Sequence, residues 1–430
     1  VPEYDSVMVC NLTCLPWNGS VGGVLVLDVK NKLTLSGHID VSGKGFRGGQ
    51  VEANDIPWVF GEQQYFYSPQ SALAAQKGEG IVFIPTDFSF GRGRAGNGGG
   101  GGNAHNAGGG GGGNAGAGGN GGLEITNFPA APTPGTDGIG GQKYFDNQTN
   151  KILLGGAAGA GHANDMLGSS GGNGGGIAIV LANSLQTNNF RVLANGVNVL
   201  GGQDQNDGQG GGGAGGTVLL KIGQITGNLN CELRGGRGGS NPYIPDFQLH
   251  GPGGGGGGGK LLLAQSLPNI IPSLQGGLNG LTSQNLTNGA MPGEVGKQLI
   301  GFSIPEGTEP AHPVSNNLAL TVQSPLCSGS PNGQISILQS SALAFSLNNG
   351  PWQPDSIFTN LAAGTYQISL QFSGGCTLDT TAVLNTPPPV MQMLLSISDA
   401  GCSGGGSIEV TAASGTAPFE FQINGGPWQA

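Results

Sequence analysis

Histidine and cysteine are the side chains of this 430-residue sequence best suited to chemistry, and there are five of one and six of the other. Three histidines border glycine runs, in Asn103-Ala104-His105-Asn106, Gly161-His162-Ala163-Asn164-Asp165 and His250-Gly251-Pro252. Imidazole ligates metals and moves protons near neutral pH, so the three together would make a metal or acid–base site if the fold joined them. The blander role for imidazole and Asn beside such runs is to cap exposed backbone groups. That role is the expectation here, with no metal, no cofactor and no catalytic residue. A nucleophile needs a base and an orienting group, and no Gly-x-Ser-x-Gly string stands at the strand-to-helix turn of a nucleophile elbow, nor is there a suitably spaced Ser/His/Asp grouping. The run Asp204-Gln205-Asn206-Asp207-Gly208 lacks the spaced carboxylates and terminal Glu of a calcium loop. Formal Gly-x-Gly-x-x-Gly matches carry no information where 89 residues are Gly and no strand-to-helix context exists.

The cysteines read as structural. Cys327 precedes a core strand and Cys376 follows another, which predicts a disulfide between them, with the partner of Cys402 lying beyond Ala430. Cys10 and Cys14 are close enough in sequence to bridge in a tight loop. Cys231 alternates with Leu229 and Leu233 and reads as a small buried hydrophobe. Bridges imply an oxidising, extracytoplasmic setting, and without any Cys-x-x-Cys pair a zinc site is improbable.

One stretch stands out as a contact surface. Ile56-Pro57-Trp58-Val59-Phe60 and Tyr65-Phe66-Tyr67 place five aromatics within ten residues of a chain that is 6% aromatic. Trp58, Phe60, Tyr65, Phe66 and Tyr67 are therefore the candidate ligand-binding residues, able to stack on sugars or apolar groups. The alternative is that they cap an open end of the fold.

The elements that must position these residues follow from an unusual composition. Glycine (89) and proline (26) make up about a quarter of the chain, a share that favours low-complexity disorder. Ordering so much Gly carries a backbone-entropy cost on the order of 45–90 kcal/mol relative to Ala, so only a regular structure can offset it. Charged residues are 9%, the net charge is −10, and no basic footprint for nucleic acid exists. Apolar runs such as Val24 to Leu27 and Ile177 to Ala182 are far shorter than the roughly 20 residues that span a bilayer. The chain opens at Val1 without a charged and apolar leader and stops inside a motif, so it reads as part of something longer, any signal peptide removed.

Up to residue 301 a phrase recurs: a Gly pair, an alternating strand, a polar break, a second strand, and Gly again. It is found at Gly22 with Val24 to Leu27, Leu33 to Leu35 and Ile39 to Val41, and at Gly175 with Ile177 to Val180, Phe190 to Val192 and Val197 to Val199. It returns at Gly215 with Thr217 to Leu220 and Leu229 to Leu233, and more weakly at Gly258 with Leu261 to Leu263. The 40-residue step from 175 to 215 is that of stacked supersecondary units. Stacking as a parallel β-solenoid would bring Val24, Ile177 and Val218 into one interior column. The tracts 98–102, 108–113, 209–213 and 253–259 then predict a layer of packed polyglycine-II-like helices against the coils; the plainer alternative is long surface loops. Residues 302–313 form a linker punctuated by Pro305, Pro310 and Pro313. Beyond it, short alternating strands with Asn-Gly turns and a tyrosine corner at Leu361 to Tyr366 predict an immunoglobulin-like sandwich over 314–389. A second such module starts at 390–430, where Pro351-Trp352-Gln353 returns as Pro427-Trp428-Gln429. The fold class expected is thus all-β, a head over 1–301 followed by tandem sandwich modules.

Ser42-Gly43-Lys44-Gly45-Phe46-Arg47-Gly48-Gly49 and the Gly-rich strings 101–108, 159–164, 210–220 and 250–256 resemble the Gly-rich region of giant cell-surface proteins of Bacteroidetes. The string Cys402 to Phe419 is similar to the tandem repeats of SprB-type gliding-motility adhesins. The resemblance implies type IX secretion, a C-terminal sorting domain outside this chain, outer-membrane anchoring proteins as partners and a filament displayed outside the cell. It carries over no catalytic residue. It also implies O-glycosylation at Asp followed by Ser or Thr, for which Ser6, Ser356 and Thr380 fit. The function expected is a non-enzymatic adhesin for surfaces, polysaccharide or cells. The runner-up is a purely structural spacer, and a polysaccharide-degrading β-helix enzyme is disfavoured because only 15 basic residues are available to line a groove.

Overall fold

The computed structural model describes all residues except 1–2, 53–57, 128–130, 145–146, 166, 202–205, 243–247, 304–318, 327–329, 339–341, 373–376, 388–390, 403, 416 and 430. Ile56, Pro57, Asp204, Gln205, linker residues 304–313 and the expected Cys327–Cys376 bridge lie outside the described residues. The chain divides into two compact units, Val1–Val314 and Ser315–Ala430. Both are all-β: among the described residues the only helix is a 3-10 turn at Thr86–Phe88.

The strands of the first unit are β1 (Glu3–Tyr4), β2 (Val7–Val9), β3 (Val24–Leu35), β4 (Ile39–Asp40), β5 (Thr126–Asn127), β6 (Ile177–Gln186), β7 (Arg191–Leu193), β8 (Thr217–Thr226), β9 (Leu229–Glu232), β10 (Gln248–Leu249), β11 (Lys260–Leu263), β12 (Ile270–Ser273) and β13 (Lys297–Ile300). One sheet runs β3-β6-β8-β11-β13 with β1 and β2 beside β3, and a second runs β4-β7-β9-β12; every pairing in both is parallel. Leu25, Ala178, Val218 and Leu261 are in register, as are Leu27, Val180, Leu220 and Leu263. These columns meet Ile39, Val192, Leu229, Cys231 and Ile270 of the second sheet in one buried core.

Two expectations are corrected here. Val24 and Ile177 align with Thr217, not Val218. Because strand side chains alternate faces, a single step decides which residues point inward, and Val24 is exposed. Leu33 to Leu35 is not a separate strand either: β3 continues through a bulge, since Val29 pairs with Ala182 while Lys32 pairs with Ser184.

After each strand of the second sheet the chain leaves the strand pair and returns through glycine. Segment 108–113 shows how these excursions pack. Its N–H groups bond in rotation to three neighbours: Gly108 and Gly111 to Gly122 and Gly119, Gly109 and Gly112 to Gln209 and Gly212, Gly110 and Gly113 to Gly100 and Asn97. Its carbonyls accept, in the same rotation, from Gly138 and Gly141, from Gly254 and Gly257, and from Gly159 and Gly156. Six neighbours therefore surround one segment, with donor–acceptor distances of 2.7–3.0 Å. Bonding that changes partner every third residue satisfies backbone groups that a buried loop would leave orphaned. It also leaves no room for side chains: a Cβ on Gly109, Gly112 or Gly257 would lie 2.0–2.1 Å from a neighbouring carbonyl oxygen. Val197 to Val199, expected as a strand, belongs to this layer instead, since Val197 and Val199 donate to Asn173 and Arg237 across different neighbours.

In the second unit β14 (Leu320–Gln323), β15 (Gly333–Ile337) and β17 (Ile357–Leu361) form one antiparallel sheet, and β16 (Ala344–Leu347), β18 (Gly364–Gln371) and β19 (Thr377–Leu384) another. Ile335, Phe345, Phe358, Ile368 and Leu384 share the core between them. The Tyr366 hydroxyl donates to the Ala362 carbonyl at 2.9 Å, the tie that a tyrosine corner makes. β20 (Gln392–Ser398) and β21 (Ser407–Ser414) pair by themselves.

Candidate functional site

Residues 103–107, 162–165, 207–209 and 249–251 lie together at the end of the glycine layer away from the two parallel sheets, beside the antiparallel pair β5–β10, and are tied by backbone bonds of His162 to Ala107, Gly208 to His162 and Gly251 to Asn106. The three histidines from separate tracts thus meet around Asn106. His162 Nδ1 accepts the Asn106 N–H at 3.1 Å and its Nε2 lies 3.0 Å from the Ala72 carbonyl, which requires a neutral ring protonated on Nε2. His250 Nδ1 is 3.4 Å from Asn106 Nδ2. Burial pushes both rings down to about 4, and lowers His105 as well. Asp207 Oδ2 accepts the N–H groups of Asp165 and Leu167 at 3.3 and 3.1 Å, while burial, then hydrogen bonding and charge at Asp165, push its carboxyl up to about 7. Asn103 Oδ1, His105 Nδ1, Asn206 Oδ1 and Asp207 Oδ1 are buried without a hydrogen-bond partner. No trio of His, Cys, Asp or Glu among the described residues is placed to hold a metal. Chemically the cluster holds neutral imidazoles against amides and carbonyls, the arrangement of a polar plug.

Of the aromatic candidates, Trp58 and Phe60 cover this plug. Asn103 Nδ2 donates to the carbonyls of Glu62 and Gln64, and the Gly61 N–H donates to the Glu124 carboxylate at 2.8 Å, so loop 58–67 is held on the end of the layer. Trp58 is 62% exposed and stacks on His105, with centroids 5.4 Å apart and planes at 21°. Phe60 sits edge-on to Trp58 at 6.0 Å. Tyr65 lies 5.3 Å beneath the Arg92 guanidinium, which is paired at 3.2 Å with Asp137, and Phe66 meets Phe88 edge-to-face at 5.0 Å. Tyr67 departs from the expectation of a surface residue: it is 8% exposed, packs with Ala74 and Phe90, and its hydroxyl donates to Glu62. A backbone bridge to Phe90 turns its ring inward. Sequence reasoning missed Phe88, Arg92 and Lys77 as neighbours of the aromatic stretch because they arrive from a different loop. Lys77 and Arg94 share with Tyr65, Phe66 and Ile139 a cleft of about 470 Å³.

The expected Cys10–Cys14 bridge does not form. Cys14 is a free thiol packed on the hydrophobic core, its ionisation pushed up by burial against the opposing pull of Lys44, whereas Cys10 Sγ lies 2.8 Å from Ser36 Oγ. Between them Asn11 takes a left-handed φ of +59° and Leu12 bridges Ile39, which turns Cys14 onto the core. Cys231 is buried and free, and Cys402 is free and exposed. Of the glycosylation candidates Ser6 is exposed, while Ser356 and Thr380 are half-buried.

No family model matches the chain, no curated protein does, and no solved structure does.

Proposed function

We propose that the first unit is a parallel β-solenoid whose coils project a slab of polyglycine-II helices, that the second is built of immunoglobulin-like modules, and that the chain acts as a non-enzymatic adhesin on a cell surface. The observation that carries this reading is the display of Trp58, Phe60, Tyr65 and Phe66, each about half exposed or more, on the end of a hydrogen-bonded glycine layer. Large exposed aromatics cost free energy in water and mark contact sites when clustered. Aromatic faces suit the apolar faces of sugars. Attachment by many weak contacts also gains from repetition along a filament. Secretion through the type IX route and anchoring outside the outer membrane belong to the same proposal and rest on the resemblance of residues 42–49, 101–108 and 402–419.

The test uses the whole chain coupled to beads and pulled from glass, polysaccharide gels and cell layers under flow. Wild-type beads should be retained, and a Trp58→Ala/Tyr65→Ala double variant with unchanged thermal unfolding should lose most of that retention. Equal detachment of uncoated, wild-type and variant beads would leave the structural-spacer reading in its place.

A further inference from the structure

Two clefts on the first unit meet at one side chain. The first, of about 540 Å³, is lined by Trp17, Phe46 and Phe83 and reaches Lys77; the second, of about 470 Å³, runs from Lys77 to Tyr65, Phe66 and Arg94. Trp17 and Phe46 stand edge-to-face at 5.8 Å, presenting an aromatic platform at one end. Tyr65 and Phe66 present another. The positive charges between them differ in how they are used. Arg47, also in the first cleft, is bound by the Glu79 carboxylate through its side chain and its backbone N–H, and Arg92 is bound by Asp137. Among the described residues no carboxylate pairs with Lys77 or Arg94. Lys77 is half-buried, and burial by itself pushes its ammonium down to about 8. A desolvated cation without a counter-charge gains from any anion that enters the cleft.

We propose that this pair of clefts is one binding groove for an acidic polysaccharide, in which sugar rings lie on the Trp17/Phe46 and Tyr65/Phe66 platforms and a uronate-type carboxylate meets Lys77 and Arg94. The choice of ligand follows from the number of cations and the aromatic faces beside them. Nucleic acid is held by a broad basic footprint along its phosphate backbone, whereas this groove has two unpaired cations on a molecule of net charge −10, too few for that footprint. A sugar chain carrying one carboxylate every residue or two matches two cations flanked by aromatic faces. The proposal rests on the adhesin reading and names the ligand class for it.

The experiment measures binding of the full chain to polygalacturonate oligomers, to neutral dextran oligomers and to single-stranded DNA of similar length, by calorimetry at low and high salt. The expected result is salt-sensitive binding of the uronate, at least tenfold weaker binding of dextran and of DNA, and a roughly tenfold loss of uronate affinity in Lys77→Met. Arg94→Gln, at an exposed position, serves as a second variant whose folding is not at risk. Uronate binding that is absent, or unchanged in both variants, overturns the proposal, as does DNA binding with equal affinity and the same Lys77 dependence. Beads that still adhere under flow while uronate is not bound would sink the groove and spare the adhesin. Uronate binding without any bead adhesion would do the reverse.

Discussion

Replacing Gly256 with Ala adds one methyl group at a place where the backbone has none to spare. Its Cβ would lie 2.0 Å from the Gly213 carbonyl oxygen and 2.6 Å from the carbonyl carbon. An ordinary contact needs about 3.4 Å or more, so segment 253–258 must move about 1.4 Å from segment 209–215. The two segments are joined by Gly212 N–H to Gly254 O and Gly215 N–H to Gly257 O, both at 2.9 Å, and a shift of that size breaks them. Each buried pair left unmade costs about 1–3 kcal/mol, and the gain from stiffening the unfolded chain is under about 1 kcal/mol. The net loss is about 3 kcal/mol, a large share of the roughly 5–15 kcal/mol that holds a domain folded. Scanning calorimetry of the full chain should place the transition of the first unit about 5–10 °C lower. Gly405→Ala, where a Cβ meets nothing within 4 Å, should leave the melt unchanged. Gly61→Ala has the same free space but a φ of +76°, so it should cost only the roughly 1 kcal/mol of a left-handed conformation. A Gly256→Ala melt within a degree of wild type would refute the claim that bare backbone contact orders the layer.

The buried plug should show in the pH dependence of unfolding. His162 and His250 titrate near 4 when folded against 6.5 when unfolded, so the unfolded state binds protons first as pH falls and stability drops between 6.5 and 4, by about 3 kcal/mol for each ring. Asp207 works in the opposite sense: its folded carboxyl is raised from 3.8 to about 7, so its contribution is full below 3.8 and is lost as pH rises through 7. Most of that loss falls between pH 4.5 and 6.5, where it opposes the histidines, so urea unfolding at these two pH values should show Asp207→Asn steepening the decline toward pH 4.5; a variant that tracks wild type at both removes this assignment. The Cys231 thiol, buried and pushed up to about 12, should resist iodoacetamide in the folded chain at pH 8, while exposed Cys402 is alkylated, as peptide mass spectrometry will show. Asp137→Asn leaves Arg92, whose side chain is 12% exposed, without its counter-charge; a loss of about 3 kcal/mol is expected in the same urea assay, and none would mean that the pair is solvated.

Much of the strand architecture was legible because period-2 alternation and the 40-residue step are written in side chains. Leu25, Leu27 and Val29 alternate with exposed or half-buried neighbours and burial follows from that pattern, whereas Thr217 to Leu220 are buried on both faces of the sheet. The stretch of aromatics was equally legible, but the direction of each ring was not: Tyr67 and Phe66 are adjacent, and only the bridge to Phe90 sends one inward. Lys77, Phe88, Arg92 and Arg94 gave no signal, since a single cation becomes notable only when its surroundings bury it beside an aromatic face.

What the amino-acid order determined by itself was where side chains are missing and where they alternate. It could not determine which glycine tract lies beside which. Successive glycines are chemically identical, so segment 108–113 carries no label for its six neighbours. Partner choice is settled by the flanking strands, whose apolar registers hold the excursions at set positions, and by the Asn and His side chains that tie off their ends. The meeting of His105, His162 and His250 is a product of that tertiary arrangement, because tracts 57 and 88 residues apart in the chain (105 to 162, 162 to 250) are brought side by side only when the backbone bonds between them close.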